Sequence, residues 1–86
     1  MASIEEIKAG VARFSSETSQ QAATIRGIAD SLEQTTALLR GLTQGTSHSR
    51  VGEALSRMEQ AKQKLHEATT LAQGAVEATN SYAASF

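Results

Sequence analysis

Cysteine, proline and tryptophan are absent from this sequence, and its aromatic residues are one Tyr and two Phe. Without cysteine there is no disulfide framework and no thiolate metal site, and the redox compartment carries no marker. Without proline, nothing in the 86 residues forces a helix to stop. Long apolar runs are missing too: none approaches the roughly 20 residues of a bilayer span, so no membrane insertion is expected. Nor is there an excess of one charge. Eight Lys and Arg against nine Asp and Glu give a net charge of −1, and the basic residues run from Lys8 to Lys64 without a cluster. Phosphate binding needs a clustered basic surface, so no nucleic-acid partner is expected. A helix lying on a membrane surface would need a Lys-rich polar face, which is also lacking. The opening Met1-Ala2-Ser3-Ile4-Glu5-Glu6 is acidic and then amphipathic. It has neither the basic segment nor the continuous apolar core of a Sec signal peptide. The expected location is cytoplasmic, or secreted without a cleaved signal peptide.

What is present is a long period. Steps of three and four from Ile4 reach Ile7, Val11, Phe14, Thr18, Gln21, Ile25, Ile28, Leu32, Thr35, Leu39 and Leu42, and nine of these twelve positions are large and apolar. Such alternation is the seam of a heptad repeat, and it predicts one long amphipathic helix. Every charged residue of this stretch falls off the seam. Ser3 and Glu6 have the spacing of a capping box. Arg13 with Glu17, and Arg26 with Asp30, stand four apart and can pair. The Ser-, Thr- and Gln-rich middle, residues 15–24, keeps the phase of the seam and is read as helix.

The break comes at Gly41 to Ser49. Gly45 can take the left-handed conformation that ends a helix, and Ser47 or Ser49 can cap the next. A connection this short makes the second helix antiparallel to the first. That helix shows Val51, Leu55, Met58, Lys62, Leu65, Thr69, Ala72, Val76, Thr79, Ala83 and Phe86 in steps of four and three. Folding at residue 46 or 47 sets Leu42 near Val51, Leu39 near Leu55, Leu32 near Lys62, Ile28 near Leu65 and Phe14 near Thr79. Lys62 then lies on the seam, with Glu33 and Glu59 as its nearest carboxylates. The expected domain is a single helical hairpin over residues 1–86, with helix 3–43, turn 44–48 and helix 48–84. The fold class is all-α, an antiparallel two-helix hairpin of coiled-coil type.

Beside the second seam, on the g position, Ala54, Ala61, Ala68 and Ala75 recur every seven residues and Tyr82 continues the series. Small residues in strict register let another helix approach closely. Leu38 and Leu71 lie off both seams. Pairing two hairpins into a four-helix bundle would cover them. Ala54, Ala61, Ala68, Ala75, Tyr82, Leu71 and Leu38 are therefore the candidate interaction residues. The expected partner is a second copy, making a homodimer, or a related helical hairpin protein.

No constellation for chemistry stands out. His48 and His66 are 18 residues apart along the sequence, which separates them by roughly 27 Å on a helical rise. Neither has the spacing of a helical metal site. No glycine group follows a strand to cradle phosphate, and nothing sets a base beside a serine. The expectation is no enzyme, no metal and no cofactor. Thr18, Gln21, Thr35, Lys62 and Thr69 interrupt the seams, as polar residues that set register and oligomer state do.

In outline the chain resembles the small Trp-x-Gly (Esx-like) proteins exported by type VII secretion. It is closer still to leaderless actinobacterial relatives without the Trp, and to N-terminal helical segments of actinobacterial polymorphic toxins. The residues that carry the likeness are Met1 to Lys8, the Ala-Leu-x-x-Met-x-x-Ala of Ala54 to Ala61, and Ala78 to Ala84. Where that family has Trp-x-Gly, this chain has Gly45-Thr46-Ser47-His48. Where the family's export signal has Tyr followed four residues later by an acid, this chain has Tyr82 and then Phe86. The resemblance implies a helical module of a type VII or toxin-associated export system, with Tyr82 as candidate export signal. The residues alone are equally those of a cytosolic coiled-coil adaptor or dimerisation protein with no secretion role.

Overall fold

A computed structural model of the protein describes residues 2–86. They form two helices, α1 (Ile4–Leu42) and α2 (Ser49–Ala84), and no strand occurs among the described residues. The helices pack against each other in a body of 63 × 17 × 16 Å, one helix long and two helices wide. Two bonds between them show the antiparallel course and fix the register. The Ser15 hydroxyl donates to the Asn80 side chain at 3.0 Å, and the Lys62 ammonium donates to Glu33 at 2.8 Å.

The ends follow from local chemistry. The Ser3 hydroxyl accepts the Glu6 backbone N–H at 3.1 Å, one half of the expected capping box. Glu5 and Glu6 lie in the first turn and Arg40 in the last, each favourable to the helix dipole. At the far end the Thr43 hydroxyl donates to the Leu39 carbonyl at 2.7 Å, and Gly45 turns the chain with a φ of +86°. Only glycine adopts that value without a steric penalty. The cap of α2 differs from expectation. Neither Ser47 nor Ser49 caps it. His48 takes the extended N-cap conformation, and its Nδ1 accepts the Arg50 N–H at 3.1 Å. The neutral imidazole nitrogen is an acceptor just as a hydroxyl is.

The contact face of α2 is the expected one. Val51, Leu55, Met58, Lys62, Leu65, Thr69, Ala72, Val76, Thr79 and Ala83 are all half-buried or buried, and the row ends before exposed Phe86. In α1 only half of the seam holds. Val11, Thr18, Ile25, Leu32 and Leu39 face α2, but the second row is Ser15, Ala22, Ala29, Thr36 and Thr43. Phe14, Gln21, Ile28, Thr35 and Leu42 each stand one residue earlier and are exposed. Accordingly Thr43, not Leu42, lies level with Val51; Ala29, not Ile28, with Leu65; and Ser15, not Phe14, with Thr79. The physical reason is closeness. Small side chains on α1 admit Leu65 and Met58 of α2, whereas a row of Phe, Ile and Leu would hold the two backbones apart.

This arrangement leaves a thin core. The buried residues among those described are Ala22, Ala29, Thr36 and Thr69, and no large side chain among them is fully enclosed. The buried threonines meet their own polar demand, because Thr36 and Thr69 donate to the carbonyls of Leu32 and Leu65.

Candidate interaction surface

The displaced row decides what the surface looks like. In an antiparallel pair, the positions that precede the contact row on one helix share a flank with the corresponding positions of the other. On α1 these are Phe14, Gln21, Ile28, Thr35 and Leu42. On α2 they are Ala54, Ala61, Ala68, Ala75 and Tyr82. At the turn end the two rows meet: Thr35, Leu38 and Leu42 line one shallow groove with Ala54, Arg57 and Met58. Leu38 and Leu71 stand at the outer edges of the same flank. Exposure there is high for apolar groups, at 40% for Phe14, 48% for Ile28, 63% for Leu38, 76% for Leu42, 74% for Leu71 and 53% for Tyr82. These exposed apolar groups are gathered on one side rather than scattered over the surface.

The sequence-based interaction residues thus share one face, though unequally. Ala54, which lines the groove, and Ala61 are half-buried, while Ala68 and Ala75 are exposed. Tyr82 packs edge-to-face on Phe86, with ring centroids 5.1 Å apart. Phe14, Ile28 and Leu42 belong to this face as well. The sequence reading assigned them to the hairpin's own seam, and the available signal was the row of small residues immediately after them.

The opposite flank is polar. Ser19, Arg26, Gln73 and Glu77 line its groove, and Lys62 bridges Glu33 at 2.8 Å and Glu59 at 3.2 Å. Arg40 adds a longer contact to Glu33, 3.8 Å. The hydrogen bond from Lys62 holds the Glu33 carboxyl below its ordinary value, aided by the Lys62 charge. Bonds to Glu33 and then to Glu59 hold the Lys62 ammonium above its ordinary value. These are the two carboxylates that the seam position of Lys62 pointed to. Arg13 pairs with Glu17 at 3.0 Å as its spacing suggests, but no ion pair joins Arg26 to Asp30 among the described residues.

One flank is therefore uncharged along its centre and apolar, and the other is charged and hydrogen-bonded. Among the described residues no three His, Cys, Asp or Glu side chains gather as a metal-holding group, and no described helix is long and apolar enough to cross a membrane. The chain matches no family model, no curated protein and no solved structure.

Proposed function

We propose that the protein is a non-enzymatic helical interaction module whose apolar flank is closed by a second helical hairpin, completing a four-helix bundle. One observation carries the reading: the large apolar side chains that a hairpin of this size needs inside stand together outside. A partner of two more helices would bury Phe14, Ile28, Leu42 and Tyr82 and supply the core that the hairpin lacks. A groove for a small ligand would instead concentrate polar groups at a concave site, and this flank is long, shallow and uncharged along its centre.

The test is the size of the native particle in extracts of producing cells. The chain should run larger than a monomer. Ile28→Glu, which sets a carboxylate in the middle of the flank, should reduce the particle to monomer size. Ala23→Glu, on the other side of α1, should not. An unchanged particle in Ile28→Glu would refute the reading.

The process served is proposed as type VII or toxin-associated export. The hairpin outline supports it, as does Tyr82, which stands exposed in the last turn of α2. Untagged protein should reach the medium of a secreting host, and deletion of Ser81 to Phe86 should abolish its release. Retention of the intact chain in the cells would favour the adaptor reading instead.

A further inference from the structure

The partner is open under the reading just given; the pattern along the flank narrows it. We infer that the second hairpin is another copy of this chain, laid head to tail about a two-fold axis between Ile28 and Ala68. This inference rests on the proposed bundle and adds its occupant and direction.

Three features point there. The first is the mirror order of the α1 row. Ile28 is its middle, polar Gln21 and Thr35 flank it one heptad away, and Phe14 and Leu42 end it. Reversing the direction about Ile28 puts Gln21 against the partner's Thr35, and Phe14 against the partner's Leu42. Polar meets polar within hydrogen-bonding reach, and apolar meets apolar. Two copies running the same way, each α1 over the other's α2, would set Gln21 on Ala75 and Thr35 on Ala61, with no side-chain partner there.

The second is volume. Phe14 and Tyr82 share the end of the hairpin away from the turn, and Leu42 and Ala54 share the turn end. Head-to-tail pairing gives both ends of the bundle the same content, two aromatics with one Leu and one Ala. Same-direction pairing crowds four aromatics at one end and leaves two Leu and two Ala at the other. Uniformly dense cores favour the balanced arrangement.

The third is area and charge. The overlap of Phe14 to Leu42 with its reverse is about 42 Å long at 1.5 Å per residue. Across a width of 17 Å, that gives on the order of 700 Å² per copy, close to the roughly 800 Å² per partner of a stable interface. The central row carries no charge, so that row meets no repulsion when laid on its own copy, and Arg57 stands outside it at the groove's edge. The alanines of α2 then lie against those of the partner's α2, and the backbones can approach to the lower end of the usual helix spacing.

The chain has no cysteine, so introduced thiols report position unambiguously. Sedimentation of the purified protein should give twice the chain mass. Ala68→Cys should cross-link to itself under mild oxidation. Ala61→Cys and Ala75→Cys should each stay uncross-linked alone but join when mixed, since the axis brings one opposite the other. Circular dichroism of the reduced variants checks that each is folded. A purified monomer would overturn the inference; if Ile28→Glu still shrank the native particle, the bundle reading would stand with a different hairpin as partner. A dimer in which Ala68→Cys joins Ile28→Cys, but not itself, would overturn the head-to-tail direction alone.

Discussion

Replacing Ala29 with leucine separates the observed packing from the packing that hydrophobicity alone suggests. Ala29 is 3% exposed and sits level with Leu65 in the register set by the Lys62–Glu33 bond. Leucine adds three heavy atoms where the helices are closest, and overpacking of this kind costs about 1–3 kcal/mol. In a domain of this size each kcal/mol lowers the melting temperature by about 4–8 °C, so Ala29→Leu should melt about 4–24 °C below the wild type. Its neighbour Ile28 is 48% exposed. Ile28→Gln should stay within about 0.5 kcal/mol in dilute solution, as surface changes do. It should fall behind the wild type only as concentration rises, because it removes association rather than packing within the hairpin. Thermal melts followed at the helical band, at two concentrations about a hundredfold apart, measure both effects. A large, concentration-independent loss in Ile28→Gln with a neutral Ala29→Leu would refute the reasoning. The contact row would then run through Phe14, Ile28 and Leu42.

Other substitutions probe single features. Lys62→Leu should raise the melting temperature, since Leu32 lies opposite and exposed ion pairs contribute little, while loosening register or oligomer state; a clear loss of stability would contradict this. The same pair sets a pH dependence. The lowered Glu33 group contributes stability above its ordinary value of 4.5, and this is lost as pH falls through the lower folded value. The raised Lys62 group contributes below 10.5, and this is lost as pH rises through the higher folded value. Melts of Glu33→Gln should show both losses reduced. His48→Asp should stabilise α2 by about 0.5–1 kcal/mol, since its first turn has no acidic residue and aspartate is a better cap; urea titration reads the gain. Gly45→Ala should cost about 1–2 kcal/mol, because φ of +86° is strained for any residue with a Cβ, and Gly45→Asn should cost less.

The two helices, their boundaries to within a residue or so and the whole contact row of α2 were legible in the sequence. In α2 the periodic positions are also the closest ones. In α1 they are not. By size, Phe14, Ile28 and Leu42 belong on the seam, and α2 is the one partner the sequence offers them. The hairpin instead placed Ser15, Ala22, Ala29 and Thr36 inward, because distance between backbones counts as well as apolar area. A stripe three positions wide, with large residues beside small ones, has two solutions, and hydrophobicity does not choose between them. Lys62 was readable down to its two carboxylates, because the Leu32 register is common to both solutions. The His48 cap is not legible in the sequence, because the flanking hydroxyls of Ser47 and Ser49 are the commoner capping groups. The flank itself was half visible, as the alanine ladder with Leu38, Leu71 and Tyr82. Its other half came into view only once α1 had turned.

The single short turn gives the hairpin the logic of a zipper. Each contact between α1 and α2 joins residues whose separation grows steadily with distance from Gly45. The Lys62–Glu33 bond spans 29 residues and the Ser15–Asn80 bond 65. Closing the wider loop directly would cost only about 0.7 kcal/mol more in chain entropy, but starting at the turn avoids even that, since each closed layer holds the next pair near its partner. Nucleation at Leu39 and Leu55 should therefore precede docking of the two chain ends. In native-state hydrogen exchange, protection should fall from the turn towards the ends, with the Ser15–Asn80 bond acting as a latch on the last layers.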